Sequence, residues 1–192
     1  MKALRIDGYG GSEALEIVDA ARPALGSSDV LVEVHAASVN PIDWKIREGY
    51  MKSFVEIPMP HIMGRDVSGV VVDKGKDVKI LSVGDAVFGS ATADRDGTHA
   101  EYVAINSTLL AIKPDRIAPV DMASLPIAAL SAYAGLVTHG NLVEGEKVLI
   151  HAGAGGVGVI AIKLAAIERI SVEANSVNIQ SNIDICLLYT SP

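Results

Sequence analysis

The residues whose types and spacing point most directly at chemistry are Gly153-Ala154-Gly155-Gly156-Val157-Gly158. An apolar run beginning at Lys147 precedes them, and a second apolar run, Val159 to Ile167, follows at once. Gly153, Gly155 and Gly158 spell G-x-G-x-x-G between a predicted strand and a predicted helix, the context that a dinucleotide site requires. There the first glycine makes a tight turn, the second admits a pyrophosphate to the backbone, and the third lets helix pack on strand. The N–H groups and positive dipole end of the helix would then face the phosphates. A glycine-rich turn between buried elements accounts for one of these glycines and leaves the others unexplained. Gly153, Ala154, Gly155, Gly156, Val157 and Gly158 are therefore the candidate cofactor-binding residues.

The rest of the composition narrows the field. With 16 basic against 23 acidic residues and a net charge of −7, and with no basic block, nucleic acid is not the expected partner. Cys186 is the only cysteine, which excludes a disulfide framework and a thiolate metal cluster. The N-terminus alternates apolar and polar residues like a first strand, and no apolar run is long enough to span a bilayer. The expectation is a protein of the cytoplasm without a membrane partner. His35, His61, His99, His139 and His151 stand apart from one another in sequence, and each is expected to be a packed or surface residue rather than a metal ligand.

Two regions must position these groups. Residues 1–118 read as mostly β, with runs at Lys2–Ile6, Leu15–Val18, Val30–His35, Val67–Val72, Ala86–Phe88, Ala100–Ile105 and Leu109–Ile112 separated by turn signals. Such spacing suggests a barrel or partly open antiparallel sheet. One helical turn, Pro41 to Glu48, has Asn40 as N-cap and Gly49 as stop. From residue 119 to 192 the grammar changes to a short helix at Asp121–Leu125 broken by Pro126, a helix from Ala128 to Thr138 capped by Gly140, then strand, glycine loop and helix.

Four segments together resemble the medium-chain dehydrogenase/reductase superfamily in its zinc-free, quinone-oxidoreductase (zeta-crystallin-like) branch. They are Val39 to Gly49, Gly64 to Gly69, Gly97 to Tyr102, and Leu125 to Tyr133 leading into the glycine loop. The resemblance implies an α/β chain with a β-rich N-terminal part: a GroES-like catalytic β-barrel over 1–118, then a Rossmann domain that is incomplete over 119–192, with the active site in the cleft between them. Zinc-carrying members have a cysteine where this chain has Asn40 and a histidine where it has Arg65, and their third ligand falls near Pro126–Ala129, where no ligating side chain exists. No metal is therefore expected.

Without a Lewis acid, hydride transfer from NADPH to an already activated acceptor, a quinone or an enone, is the activity implied. Asn40, Tyr50 and Ser131 are the candidate catalytic residues. Asn40 has two readings, a polar group near nicotinamide or acceptor and a helix N-cap. Tyr50 is either a hydrogen-bond donor or stacking partner for a quinone, or a half-buried anchor. Ser131 matches a family hydroxyl beside the cofactor, against a plain helix-surface serine. Asp43 is expected to cap or pair locally, and Arg65 either pairs with Asp66 or lines the cleft. Glu173 lies near the offset where an acid favours NAD, whereas the family favours NADPH. The alternative is a non-catalytic nucleotide-binding relative that uses the same fold for binding or scaffolding; members of the family often form homodimers, and the sequence leaves the oligomeric state of the full-length form open.

No glycine follows Gly158, although a doubly wound domain consumes glycine at its turns. Cys186 to Pro192 back-translate to a sequence similar to a transposase-based sequencing adapter. The expectation is that these residues are not biological, that the stretch after Ile167 is suspect, that the chain is truncated, and that it is by itself unstable and inactive.

Overall fold

The computed structural model describes residues 1–174 and 188–190, and the reading of Cys186 lies outside them. The chain divides into two compact units, Met1–Pro126 and Ile127–Pro192.

The first unit is built from two antiparallel sheets. Strands β1 (Lys2–Ile6), β2 (Glu16–Asp19) and β4 (His61–Ile62) form one in the order β2-β1-β4. Strands β3 (Asp29–Ala37), β5 (Asp66–Lys74), β6 (Ala86–Ser90), β7 (Tyr102–Asn106) and β8 (Leu110–Ile112) form the other in the order β7-β3-β5-β6-β8. An antiparallel bridge between Ala3 and Ala100 joins the two. Alternation puts Val30 and Val32 of β3 and Val67 and Val71 of β5 into one core with Val87, Val103 and Ile105. The β3–β5 register slips between Val34 and Ala36, and there Gly69 passes so close that a Cβ would overlap the Glu33 carbonyl oxygen. Helix α1 (Pro41–Arg47) starts from Asn40 in extended conformation with proline in its first turn, and ends before Gly49 at φ +81°.

Helix α2 (Pro119–Ala123), assigned to the second region from sequence, packs on β3 and β5 and so falls in the first unit. It begins two residues before the expected Asp121, because proline suits the first helical turn. Pro126, expected only to break that helix, opens α3 (Pro126–Tyr133) for the same reason.

The second unit runs from α3 through a π-helical turn, Ala134–His139, into strand β9 (Lys147–Ile150), helix α4 (Gly156–Ile167) and strand β10 (Ser171–Ala174). The single helix expected over Ala128–Thr138 is thus split. The Gly140 N–H reaches back to the Gly135 carbonyl at 2.9 Å, one residue further than in an α-helix. Gly140 itself is right-handed at φ −73°, and Asn141 takes the left-handed position at φ +47°. Strands β9 and β10 are parallel and joined by α4, a βαβ unit, with β11 (Leu188–Thr190) antiparallel on the other side of β9. Its core gathers Val148 and Ile150 of β9 with Ala161 and Ala165 of α4, Leu136 and Ile170. Among the described residues no helix is long and apolar enough to cross a membrane.

Candidate functional site

The glycine loop forms where β9 ends. Ala152 turns the chain at φ +54°, and Gly155 N–H closes the turn on the Ala152 carbonyl at 2.9 Å. Gly155 is the N-cap of α4, which therefore starts at Gly156, three residues before the apolar run that signalled it. The glycines divide by what surrounds them. A Cβ at Gly158 would overlap the Ala152 carbonyl oxygen and lie 2.8 Å from Gly153 Cα, so helix and turn pack there without room for a side chain. A Cβ at Gly156 meets nothing within 4 Å, and one at Gly155 meets only the Ala152 oxygen at 3.2 Å. Ala154, Gly155 and Gly156 are exposed, Val157 is half-buried, and Gly153 and Gly158 are buried. Packing within the unit thus explains Gly158, whereas the bare surface at Gly155 and Gly156 leaves room for a ligand's phosphates against the first N–H groups of α4.

Ser131 is exposed on α3 in the same unit. Glu173 is exposed on β10, paired with Leu149 of β9. It thus stands on the second strand of the βαβ unit, the place expected of a ribose-reading acid.

In the first unit Asn40 lies, half-buried, at the centre of a polar cluster. Its amide nitrogen donates to Ser38 Oγ at 2.8 Å and to Asp66 Oδ2 at 3.0 Å, and Ser38 Oγ in turn donates to the same Asp66 oxygen at 2.9 Å. Both amide hydrogens are therefore spent inside the protein. Asp66 is fully buried, and its backbone carbonyl accepts from Thr98 Oγ1 at 2.8 Å. Asn40 also occupies the N-cap of α1, its backbone N–H donating to Asp43 Oδ2 at 2.6 Å. Asn40 thus takes the N-cap position expected of it, and Asp43 the local capping role.

Around this cluster the titrating groups are displaced from their ordinary values. Burial pushes the Asp43 carboxyl up, against the Asn40 N–H, His99 and Arg65, which pull it down. Burial pushes the Arg65 guanidinium down, while Asp43, Asp66 and Asp94 oppose it. Arg65 Nε donates to the Ala91 carbonyl at 2.6 Å. His99 Nε2 donates to the Ser38 carbonyl at 2.8 Å, and the His99 ring lies against Gly64, where a Cβ would sit 2.7 Å from His99 N. Gly64 stands at φ +92°.

Tyr50 is placed apart from this network. It is exposed and meets the exposed Trp44 edge to face at 5.6 Å. Two hollows of about 300 and 350 Å³ on this unit share Arg95, Asp96 and Ala104 in their walls, and neither is lined by Asn40 or Tyr50. Among the described residues no group of three or more His, Cys, Asp or Glu is placed to hold a metal ion.

Sequence reasoning missed Ser38 altogether and left His99 as an isolated histidine. The signal available was the G-R-D run, Gly64 to Asp66, beside the G-T-H run, Gly97 to His99, two glycine-led segments that the fold lays against each other.

An antiparallel β-domain followed by a βαβ unit with a bare glycine loop has the form of the folds that carry dinucleotide sites. Residues 26–115 match the alcohol dehydrogenase GroES-like domain family. The chain is 36% identical over 180 residues to the chloroplastic quinone-oxidoreductase homolog of Spinacia oleracea, covering 91% of this chain and 55% of that protein. It is 38% identical over 172 residues to the chloroplastic NADPH-dependent alkenal/one oxidoreductase of Arabidopsis thaliana, covering 86% and 44%. Among solved structures, the quinone oxidoreductase of Coxiella burnetii superimposes with TM-score 0.80 at 38% identity, covering 91% of this chain and 56% of that one. A mycobacterial protein complexed with NADPH gives TM-score 0.79 at 31% identity, covering 91% and 52%. The chain spans about half the length of the curated relatives it matches. It belongs to the medium-chain dehydrogenase/reductase superfamily and is of the quinone-oxidoreductase type.

Proposed function

We propose that the full-length protein transfers hydride from NADPH to a quinone or an activated alkene such as an enone, without a metal. The observation that carries this is the bare N-terminus of α4: Gly155 and Gly156 are exposed, and a Cβ at Gly156 meets nothing. In this reading the backbone of Gly155, Gly156 and Val157 holds the pyrophosphate, with Gly153, Ala154 and Gly158 shaping the turn. Ser131 offers its exposed hydroxyl to the same cofactor. The nicotinamide supplies the hydride when bound.

The residues of the first unit do the positioning. Asn40 has both amide hydrogens engaged, so it serves as a fixed polar surface rather than as a donor to the acceptor's oxygen. Tyr50, exposed beside Trp44, offers a hydroxyl donor and an aromatic face to a flat acceptor such as a quinone. The metal-free character is supported by the donor set: a carboxamide nitrogen already engaged and a guanidinium are not zinc ligands.

For the reductant there is a second reading, favoured by one observation. A carboxylate at Glu173 would repel a 2′-phosphate and accept from a ribose 2′-hydroxyl, which favours NADH. The names of two similar proteins, one NADPH-dependent and one complexed with NADPH, favour NADPH.

The test is fluorescence titration of NADPH and NADH against the full-length protein, followed by cofactor oxidation on adding a quinone or an enone. Binding with turnover is expected. Binding without turnover would turn the assignment to a non-catalytic nucleotide-binding relative, and absence of binding would overturn both.

A further inference from the structure

The larger hollow of the first unit, about 350 Å³, has His61, Arg95 and Asp96 in its wall, with Pro23, Pro58 and Pro60 among its apolar faces. No residue given above to cofactor or acceptor lines it. Its volume, and an apolar lining broken by a few polar groups, are those of a small-molecule site. Strand β4 brings the polar groups together. Asp96 Oδ1 accepts the Ile62 N–H at 2.9 Å, and the Gly97 N–H donates to the Ile62 carbonyl at 2.7 Å. The segment Asp96–Gly97 is thereby pinned to the strand that carries His61.

His61 is the informative member. It is only 2% exposed, yet neither ring nitrogen has a hydrogen-bond partner among the described residues. Unlike Asp43 Oδ1 and His99 Nδ1, those nitrogens are not shut off from solvent. The little of His61 that is reached from outside therefore includes its polar atoms, and the hollow is the opening it lines. Burial lowers the imidazole from its ordinary value, Asp96 opposes this and Arg65 adds to it. The ring is then neutral at neutral pH, with one N–H and one lone pair to offer.

What is left unspent in the wall defines the ligand. Both Nη atoms of Arg95 donate to Asp29, and the Ile62 and Gly97 N–H groups are engaged. The free groups are acceptors: the His61 lone pair, and Asp96 Oδ2, exposed and without a partner among the described residues. Charge agrees. Three carboxylates, Asp29, Asp94 and Asp96, act on the single guanidinium of Arg95. Met1 also lines the hollow, and its ammonium donates to the Ala20 carbonyl; the balance stays acidic. Such a wall opposes an anion and favours a cation that donates. A bare metal ion fits poorly, because among the described residues no three ligating side chains converge, and proline faces offer it nothing.

We propose that this hollow binds a small organic ammonium ion, its N–H groups on Asp96 Oδ2 and the His61 imidazole and its apolar body against Pro23, Pro58 and Pro60. The site uses neither cofactor nor acceptor and does not rest on the reductase reading.

The test is titration of the full-length protein with 2-phenylethylamine, followed by calorimetry and by the nuclear magnetic resonance signals of the His61 ring, assigned by their loss in His61→Gln. Saturable binding that shifts these signals is expected. With 2-phenylethanol, which has the same body and no charge, binding should be at least about tenfold weaker. Asp96→Asn keeps an oxygen for the Ile62 N–H and removes only the charge, so it should stay folded and weaken the amine by a similar factor. An unmoved His61 ring, equal affinity for amine and alcohol, or equal affinity in Asp96→Asn and parent would each overturn the ammonium site. Zinc ions shifting the same signals at lower concentration than the amine would overturn it in favour of a metal.

Discussion

Alanine at Gly158 and alanine at Gly156 separate folding from cofactor binding, although the two residues lie in one turn of one helix. At Gly158 the new Cβ would overlap the Ala152 carbonyl oxygen and lie 2.8 Å from Gly153 Cα, both of them backbone atoms that no side-chain rotation can clear. Overpacking of that kind costs about 1–3 kcal/mol, read as a lower midpoint in chemical denaturation. At Gly156 the Cβ meets nothing within 4 Å. Alanine there should be neutral or stabilise by about 0.4–1 kcal/mol through the unfolded chain. A phosphate held on the N-terminus of α4 would lose its close approach. If that removes one charge-assisted hydrogen bond of about 1.5–3 kcal/mol, the dissociation constant for NADPH rises about ten- to hundredfold. The assay is denaturation and cofactor fluorescence on both variants. Gly156→Ala binding NADPH as tightly as the parent, while remaining folded, would refute the phosphate cradle. Gly158→Ala as stable as the parent would refute the packing argument.

Three further outcomes follow from the first unit and from α3. Gly64→Ala combines φ +92° with a Cβ 2.7 Å from His99 N, so it should cost more than about 2 kcal/mol in a urea melt. Arg95 grips Asp29 through two hydrogen bonds of 3.0 and 2.7 Å and holds that carboxyl below its usual range. Arg95→Ala should cost about 1–3 kcal/mol at neutral pH, less than a fully buried pair because the Arg95 side chain is 40% exposed. A depressed folded pKa means that this stabilisation is present above the unfolded carboxylate range and is lost as pH falls through the folded value, so the parent and the variant should converge in acid. Ser131→Ala, on an exposed helix position, should leave the melt within about 0.5 kcal/mol of the parent; in the proposed reading it weakens NADPH, which fluorescence titration measures.

What the sequence made legible was local. Strands β1 and β9, the helix at Pro41, its N-cap at Asn40 and its stop at Gly49 follow from alternation, proline and glycine over a few residues. The boundaries that shifted also have local causes that the periodicity could not carry. Proline at Pro119 and Pro126 opens helices rather than closing them, and one reach-back bond from Gly140 to Gly135 turns half of a predicted α-helix into a π-turn. Strand β4 is two residues long and exists only because β1 pairs with it, so no window of sequence contains its reason.

The candidate site divides along the same line. The glycine loop is one contiguous stretch, and its motif suggests its own chemistry; the structure adds only which glycine is closed in by packing and which is left bare. The Asn40 cluster is assembled from Ser38, Asp43, Asp66, Thr98 and His99, joined across as many as 61 residues. No one of these residues announces the others. Asn40 reads equally as a cap or as a ligand-facing amide until the two acceptors of its hydrogens, Ser38 Oγ and Asp66 Oδ2, are known. Once they are known, the amide has no hydrogen left for an acceptor's developing charge. In the proposed reading the group that stabilises that charge is then sought elsewhere, and Tyr50 is an exposed hydroxyl on this unit that the sequence had already singled out. Tyr50→Phe separates the two ways it could act, because it keeps the aromatic face against Trp44 and removes only the donor. A fall in kcat of the full-length protein at unchanged KM would mark the hydroxyl as the donor, and an unchanged kcat would leave Tyr50 as a stacking surface alone.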